Sequence, residues 1–333
     1  MRNLPFNRLY LRPLSCVAVT LALAACGGGG GDTAQNDGQV AQQPTYLQNE
    51  NANANTATAS EPALTPAVAS SAEAATASSA TSSAATSPAA TSSAAPASNT
   101  TPTPFGQDSS AYAFAFGDEF EGNLNTSMWT DHAWYESPNA TKNYTVEGGA
   151  LKIWPQRDAS GNFFNRTLDT DGHYYQTYGY FEIEAKLPAG KGTWPAFWLF
   201  NHIDARRPEI DIMEAYAGGA APWGVTGSDG AAHPTMYAAT VWKDASVQAG
   251  FNKIATADLS TGFHKYALKW EPNKQTFYFD GKEVAAVNVA MADPMYIMLD
   301  LWYGSASGTP DNSTPTGKAN AYQVNYVRAW KFK

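Results

Sequence analysis

The chain has 333 residues, 21 basic and 30 acidic side chains, and a formal net charge of −9. That length suffices for one or two domains, and the acidic balance argues against nucleic acid or an anionic membrane surface as a partner. Its two cysteines are Cys16 and Cys26, so everything downstream must fold without a disulfide and work without a thiol nucleophile.

Residues 1–25 carry Arg2, Arg8 and Arg12 ahead of an apolar run from Leu14 to Leu23. The run is too short to span a membrane and reads as a secretory signal. It ends in Leu23-Ala24-Ala25-Cys26, which resembles a bacterial lipobox. The resemblance implies that Cys26 is lipidated and becomes the mature N-terminus, anchored in the cell envelope. Gly27 in place of an aspartate points to the outer membrane. Removing the leader takes away three arginines and no acids, leaving 18 basic and 30 acidic residues, a net charge of −12.

Residues 26–104 are dominated by Gly, Ala, Ser, Thr, Asn and Pro, with almost no apolar periodicity. Such a segment cannot bury enough surface to offset its ordering entropy, and a disordered tether is expected. About 78 flexible residues have a typical end-to-end distance of roughly 50 Å.

From Phe105 to Lys333 the composition turns aromatic and apolar. Phe181, Ile183, Ala185 and Leu187 alternate on one face of a strand, and Ala150–Trp154 and Lys265–Trp270 read as strands too. Thr276–Phe279, Asp280-Gly281 and Lys282–Val284 spell a hairpin with a two-residue turn. Tyr296–Tyr303 and Tyr322–Lys331 complete the set. With no long amphipathic helix and no internal repeat, the pattern predicts one all-β sandwich over residues 105–333.

The chemistry concentrates in Glu209-Ile210-Asp211-Ile212-Met213-Glu214. Glu209 and Asp211, two apart, share one face of a strand. Glu214, five from Glu209, would point into the core unless a one-residue bulge near Ile212-Met213 restores it. Three crowded carboxylates raise one another's proton affinity, and a carboxylate beside a carboxylic acid is what glycoside hydrolysis needs. On spacing alone, a solvated acidic face or a cation site remains an alternative.

Tyr178–Pro188, Gly190–Phe200 and the Glu209–Glu214 acids, opened by Phe116-Gly117-Asp118-Glu119-Phe120 and closed by Tyr326–Trp330, resemble glycoside hydrolase family 16. The likeness is to its branch with the bulged E-x-D-x-x-E motif. The resemblance implies a concanavalin-A-like jelly roll, two antiparallel sheets with a concave substrate cleft. It also implies a retaining endo-glycanase of β-1,3- or mixed-linkage glucan, with Glu209 as nucleophile, Asp211 assisting and Glu214 as acid and base. Trp194 and Trp198 match aromatic positions of the family's cleft. Trp302, Arg207 and His233 are further candidates for substrate contact. A monomer acting on polysaccharide, with no cofactor, is expected.

Departures from the family concern specificity. Asp204-Ala205-Arg206-Arg207-Pro208 replaces a Trp-Pro-x-x-Gly run, and Thr235–Trp242 lacks a histidine that relatives carry. Trp302 replaces a smaller residue. Asn325 stands where relatives often place a Ca²⁺-binding aspartate, so structural calcium is not expected. Arg206 and Arg207 leave open a glycanase of acidic bacterial exopolysaccharide, and a non-catalytic carbohydrate-binding jelly roll is the rival class.

Overall fold

The computed structural model describes residues 101–333 except Gly219. The leader at residues 1–25, the lipidation site Cys26 and the tether up to residue 100 lie outside the described residues. Sixteen strands form, joined by loops and short 3₁₀ turns, with no α-helix among the described residues. In chain order they begin with β1 (Tyr112–Asp118), β2 (Tyr144–Val146), β3 (Leu151–Ile153), β4 (Arg166–Asp169), β5 (Gly179–Lys186) and β6 (Thr193–Phe200). Next come β7 (Glu209–Ala215), β8 (Gly224–Thr226), β9 (Ala232–Pro234), β10 (Met236–Asp244) and β11 (Val247–Ala255). The last are β12 (His264–Glu271), β13 (Lys274–Phe279), β14 (Lys282–Val287), β15 (Tyr296–Tyr303) and β16 (Tyr322–Phe332).

Two antiparallel sheets carry the fold. One runs β14-β13-β12-β5-β16-β3-β2, with β1 also paired to β16, and the other runs β11-β10-β7-β6-β15-β4. Phe181, Ile183 and Ala185 of β5 meet Phe197 and Leu199 of β6 and Ile297, Leu299 and Leu301 of β15 in the core between the sheets. On the outer face of the six-stranded sheet, Trp194, Ala196, Trp198 and Phe200 of β6 join Tyr296, Met298 and Trp302 of β15 in a second buried cluster. Both faces of β6 are therefore apolar, which is why its sequence shows no alternation.

The predicted hairpin has the expected turn: Phe279 pairs with Lys282, and Asp280 and Gly281 sit at φ +47° and +76°. Two consecutive positive φ values match the right-handed twist of the flanking strands. The Asp280 carboxylate accepts from the Lys265 backbone N–H at 2.8 Å, tying the turn to the next strand.

The outer face of the eight-stranded sheet is covered by the start of the described chain. Tyr112, Tyr180 and Trp330 form an aromatic layer there, packed with Ala267. Trp330 Nε1 donates to the Pro102 carbonyl at 2.9 Å, and the Phe105 N–H donates to Glu182 Oε2 at 3.1 Å. Contacts to this sheet thus include residues upstream of Phe105, the boundary expected from composition. Pro102 and Pro104 carry no periodicity that would mark them as docked.

Candidate active site

Strand β7 presents the acids because its register slips once. Against β6, Glu214 pairs with Ala196 and Met213 with Phe197, and then Asp211 pairs with Trp198. Against β10 the same slip falls between Ala238 and Thr240. Ile212 is the extra residue, and it and Met213 both turn into the core between the sheets. Glu209, Asp211 and Glu214 consequently face one cleft, with Trp194, Ala196, Trp198, Asp300 and Trp302 as its other lining residues. The space among these side chains, counted together with the solvent it opens to, is about 220 Å³. This is the bulge that the five-residue spacing requires.

Each tryptophan is fixed by its indole N–H. Trp194 Nε1 donates to Glu214 Oε1 at 3.1 Å, Trp198 Nε1 to Asp300 Oδ2 at 2.8 Å, and Trp302 Nε1 to Thr167 Oγ1 at 2.9 Å. Trp302 meets the edges of both other indoles, at 5.7 Å from Trp194 and 5.9 Å from Trp198. Buried indoles need such partners, and here two of the partners are cleft carboxyls. The rings wall the cleft and do not enter the core between the sheets.

Asp300 was not singled out by the sequence. A single acid in Tyr296-Ile297-Met298-Leu299-Asp300-Leu301-Trp302 looks like an interruption of a core strand. The available signal was its even spacing from Met298 and Trp302, which puts it on their face. Burial pushes its carboxyl well above the usual range; the Trp198 N–H opposes that shift and the charge of Glu136 adds to it. Four carboxyls line this cleft, no basic residue does, and crowding of this kind keeps part of the set protonated.

The other candidates divide. Arg207, two residues before Glu209, is not among the cleft-lining residues; its guanidinium lies 5.2 Å from the centre of the Trp134 ring, and its backbone adopts φ +46°, uncommon for a long side chain. Trp134 also stacks on His202 at 4.9 Å, and His202 Nε2 lies 2.8 Å from Asp171 Oδ2. Arg206 is tied to Asp293 and Asp204, a surface pairing. His233 belongs to the β8–β9 ribbon and is not among the cleft-lining residues. Its ring nitrogens face Asp229 at 3.1 Å and Ser260 and Asp258 at 2.8 and 2.9 Å, so its polar capacity is used locally. Asn325 donates its amide to Glu184 Oε2 at 2.9 Å, while Lys265 holds the other oxygen of that carboxylate.

The sequence pattern of glycosyl hydrolases family 16 matches residues 128–328, more than half of the chain. An endo-1,3-1,4-beta-glycanase, ExsH, from Rhizobium meliloti is 29% identical over 214 residues, covering 61% of this chain and 43% of its own. A beta-glucanase from Rhodothermus marinus is 28% identical over 255 residues, covering 66% of this chain and 86% of its own. The chain thus spans less than half the length of the Rhizobium relative. Among solved structures, the endo-beta-1,3-glucanase from Pyrococcus furiosus superposes with a TM-score of 0.53 at 25% identity, covering 67% of this chain and 95% of that one.

Proposed function

This chain belongs to glycosyl hydrolases family 16, and on that premise we propose that it cleaves β-1,3- or mixed β-1,3-1,4-glucan internally, by double displacement with retention. The observation that carries the reading is the bulged β7, which turns Glu209, Asp211 and Glu214 together into a tryptophan-walled cleft. The names of the relatives, an endo-1,3-1,4-beta-glycanase and a beta-glucanase, support the substrate class.

In the first step a Glu209 oxygen attacks the anomeric carbon as that carbon's bond to the leaving oxygen breaks, and Glu214 gives the leaving oxygen its proton. In the second, Glu214 takes a proton from water, the water oxygen bonds to the anomeric carbon, and Glu209 departs as carboxylate. Asp211, between them in sequence, steadies the charge on Glu209. The Trp194 N–H holds Glu214 Oε1 in place, and the indole faces offer a packing surface to the C–H groups of a sugar ring.

The test is release of reducing ends from laminarin and lichenan by the full chain, with Glu209→Gln as control. Cleavage lost in the control supports the reading; equal release by both proteins would overturn it. NMR of the first-formed anomer tests retention. Arg207, two residues before Glu209 in the chain, favours a second reading, a glycanase of acidic exopolysaccharide, because its guanidinium and the Trp134 ring beside it could together hold a carboxylate and a sugar face. Activity confined to acidic polymers would select it. We also propose that Cys26 is lipidated and holds the chain at the outer membrane, so that Cys26→Ser releases it from the membrane fraction.

A further inference from the structure

Asp300 is the one carboxyl lining the cleft that the double displacement leaves without a task. Its place is defined by register. Ala196 of β6 pairs with Asp300 of β15 on one side and with Glu214 of β7 on the other. Two interstrand steps put the α-carbons of Asp300 and Glu214 about 9.5 Å apart, with only a methyl group on the floor between them. Of its two oxygens, Oδ2 accepts from Trp198. Oδ1 is buried and makes no hydrogen bond within the described residues. The residue is 1% exposed, against 2% for Glu209, 2% for Asp211 and 5% for Glu214. It therefore lies as deep as the proposed catalytic acids, and whatever uncovers them to a sugar reaches it too.

We propose that Asp300 is a specificity-determining residue of the cleft, a neutral carboxylic acid whose Oδ1 hydroxyl donates to an oxygen of the sugar unit seated over Ala196, opposite Glu214. The inference rests on the glucan-hydrolase reading of the same cleft. An apolar residue such as Met298, its neighbour on the same face, would fill the floor without burying an unsatisfied oxygen, which is costly in the absence of a ligand. The surroundings keep the proton on. Glu136 from the loop before β2 adds negative charge, and the carboxyls of Glu214 and Asp211 of β7 line the same cleft. Asp169 of β4 is itself raised, by burial first, to about 7. Among the described residues the Trp198 N–H is the hydrogen-bond donor to the carboxyl, and Tyr322 of β16, itself buried, donates to the Ala196 carbonyl at 3.3 Å. A neutral acid has one O–H to give, and an oxygen of a sugar seated over Ala196 would be placed to accept it.

The experiment measures laminarin binding by calorimetry with the full chain, in the Glu209→Gln background so that turnover does not interfere. It compares Asp300 with Asp300→Asn and Asp300→Leu, and KM and kcat are compared in the parent. Asparagine can accept from Trp198 and still donate, so affinity stays within about threefold. Leucine donates nothing, and Kd and KM rise about tenfold with kcat little changed. As pH rises the parent loses affinity when Asp300 ionises, and Asp300→Asn does not. Unchanged binding by Asp300→Leu overturns the assignment alone, and Asp300→Asn as weak as Asp300→Leu overturns the neutral-donor role. Should the leucine variant not fold, identical alkaline profiles for the parent and Asp300→Asn overturn it instead. A parent that neither binds nor cleaves laminarin overturns the glucan reading, and this assignment with it.

Discussion

Replacing Trp198 with phenylalanine isolates the link between a cleft wall and a cleft acid. The substitution keeps an aromatic ring on β6 but removes the N–H that Asp300 Oδ2 accepts at 2.8 Å. A carboxyl 1% exposed then has no donor from this ring, and stranding a buried polar group costs about 1–3 kcal/mol. The smaller ring also withdraws from Trp302, whose centroid lies 5.9 Å away, a gap worth about 1 kcal/mol. The sum, about 2–4 kcal/mol, corresponds to a fall in Tm of roughly 5–15 °C for a domain of this size. Thermal melts of the wild type, Trp198→Phe, Asp300→Leu and the double variant form a cycle. With leucine at 300 there is nothing to strand, so Trp198→Phe should cost only the gap, leaving a coupling of about 1–3 kcal/mol. Additive single effects, with coupling under about 0.5 kcal/mol, would show that the indole and the carboxyl do not depend on each other.

The remaining expectations concern catalysis and pH. Glu209→Gln and Glu214→Gln should each lower kcat by about a thousandfold or more while the melt is preserved, and Asp211→Asn should cost less; a Glu214 variant retaining most of its rate would refute its role as acid and base. Asp169 is raised by burial to about 7 from 3.8, so the native state holds its proton longer and stability falls as pH rises from about 4 to 7. Asp169→Asn should therefore melt several degrees above wild type at pH 8 and alongside it at pH 4; equal gains at both would contradict this. Asp131 is the opposite case. Burial alone would raise it, but hydrogen bonds from Lys142, Tyr144 and His132 bring it to about 2. Its contribution is present above about 3.8 and lost as pH falls towards 2, so Asp131→Asn should cost stability at pH 6 and almost none near pH 2.

The parts of this site that could be read from sequence are those where spacing and residue type made the same demand. Glu209 and Glu214, five apart on a strand, cannot share a face without an extra residue, so a bulge near Ile212-Met213 could be read from spacing. The turn at Asp280-Gly281 was legible for a similar reason, since few dipeptides tolerate two positive φ values. Strand β11 was missed because it lies at the edge of its sheet, where Val247, Phe251 and their neighbours are mostly exposed and no alternation is imposed. Strand β4 was missed because all four of its residues, Arg166 to Asp169, are buried, Arg166 through bonds to Asn143 and to the carbonyls of Asp131 and Thr141. Asp300 was hidden by its apolar neighbours, and His233 looked available because its partners Asp229 and Asp258 give no local signal of convergence.

The bonds of Pro102 and Phe105 to Trp330 and Glu182 also determine where the molecule feels force. Tension applied through the preceding chain reaches the outer face of the eight-stranded sheet, and the acids open on the outer face of the other sheet. Force delivered at Pro102 would load those two hydrogen bonds before straining any strand pairing. Drag from a long polymer lying across the cleft would load the sandwich through its thickness, between two stacked sheets, without prising open the pairing of β6 with β7 that positions Glu209 and Glu214.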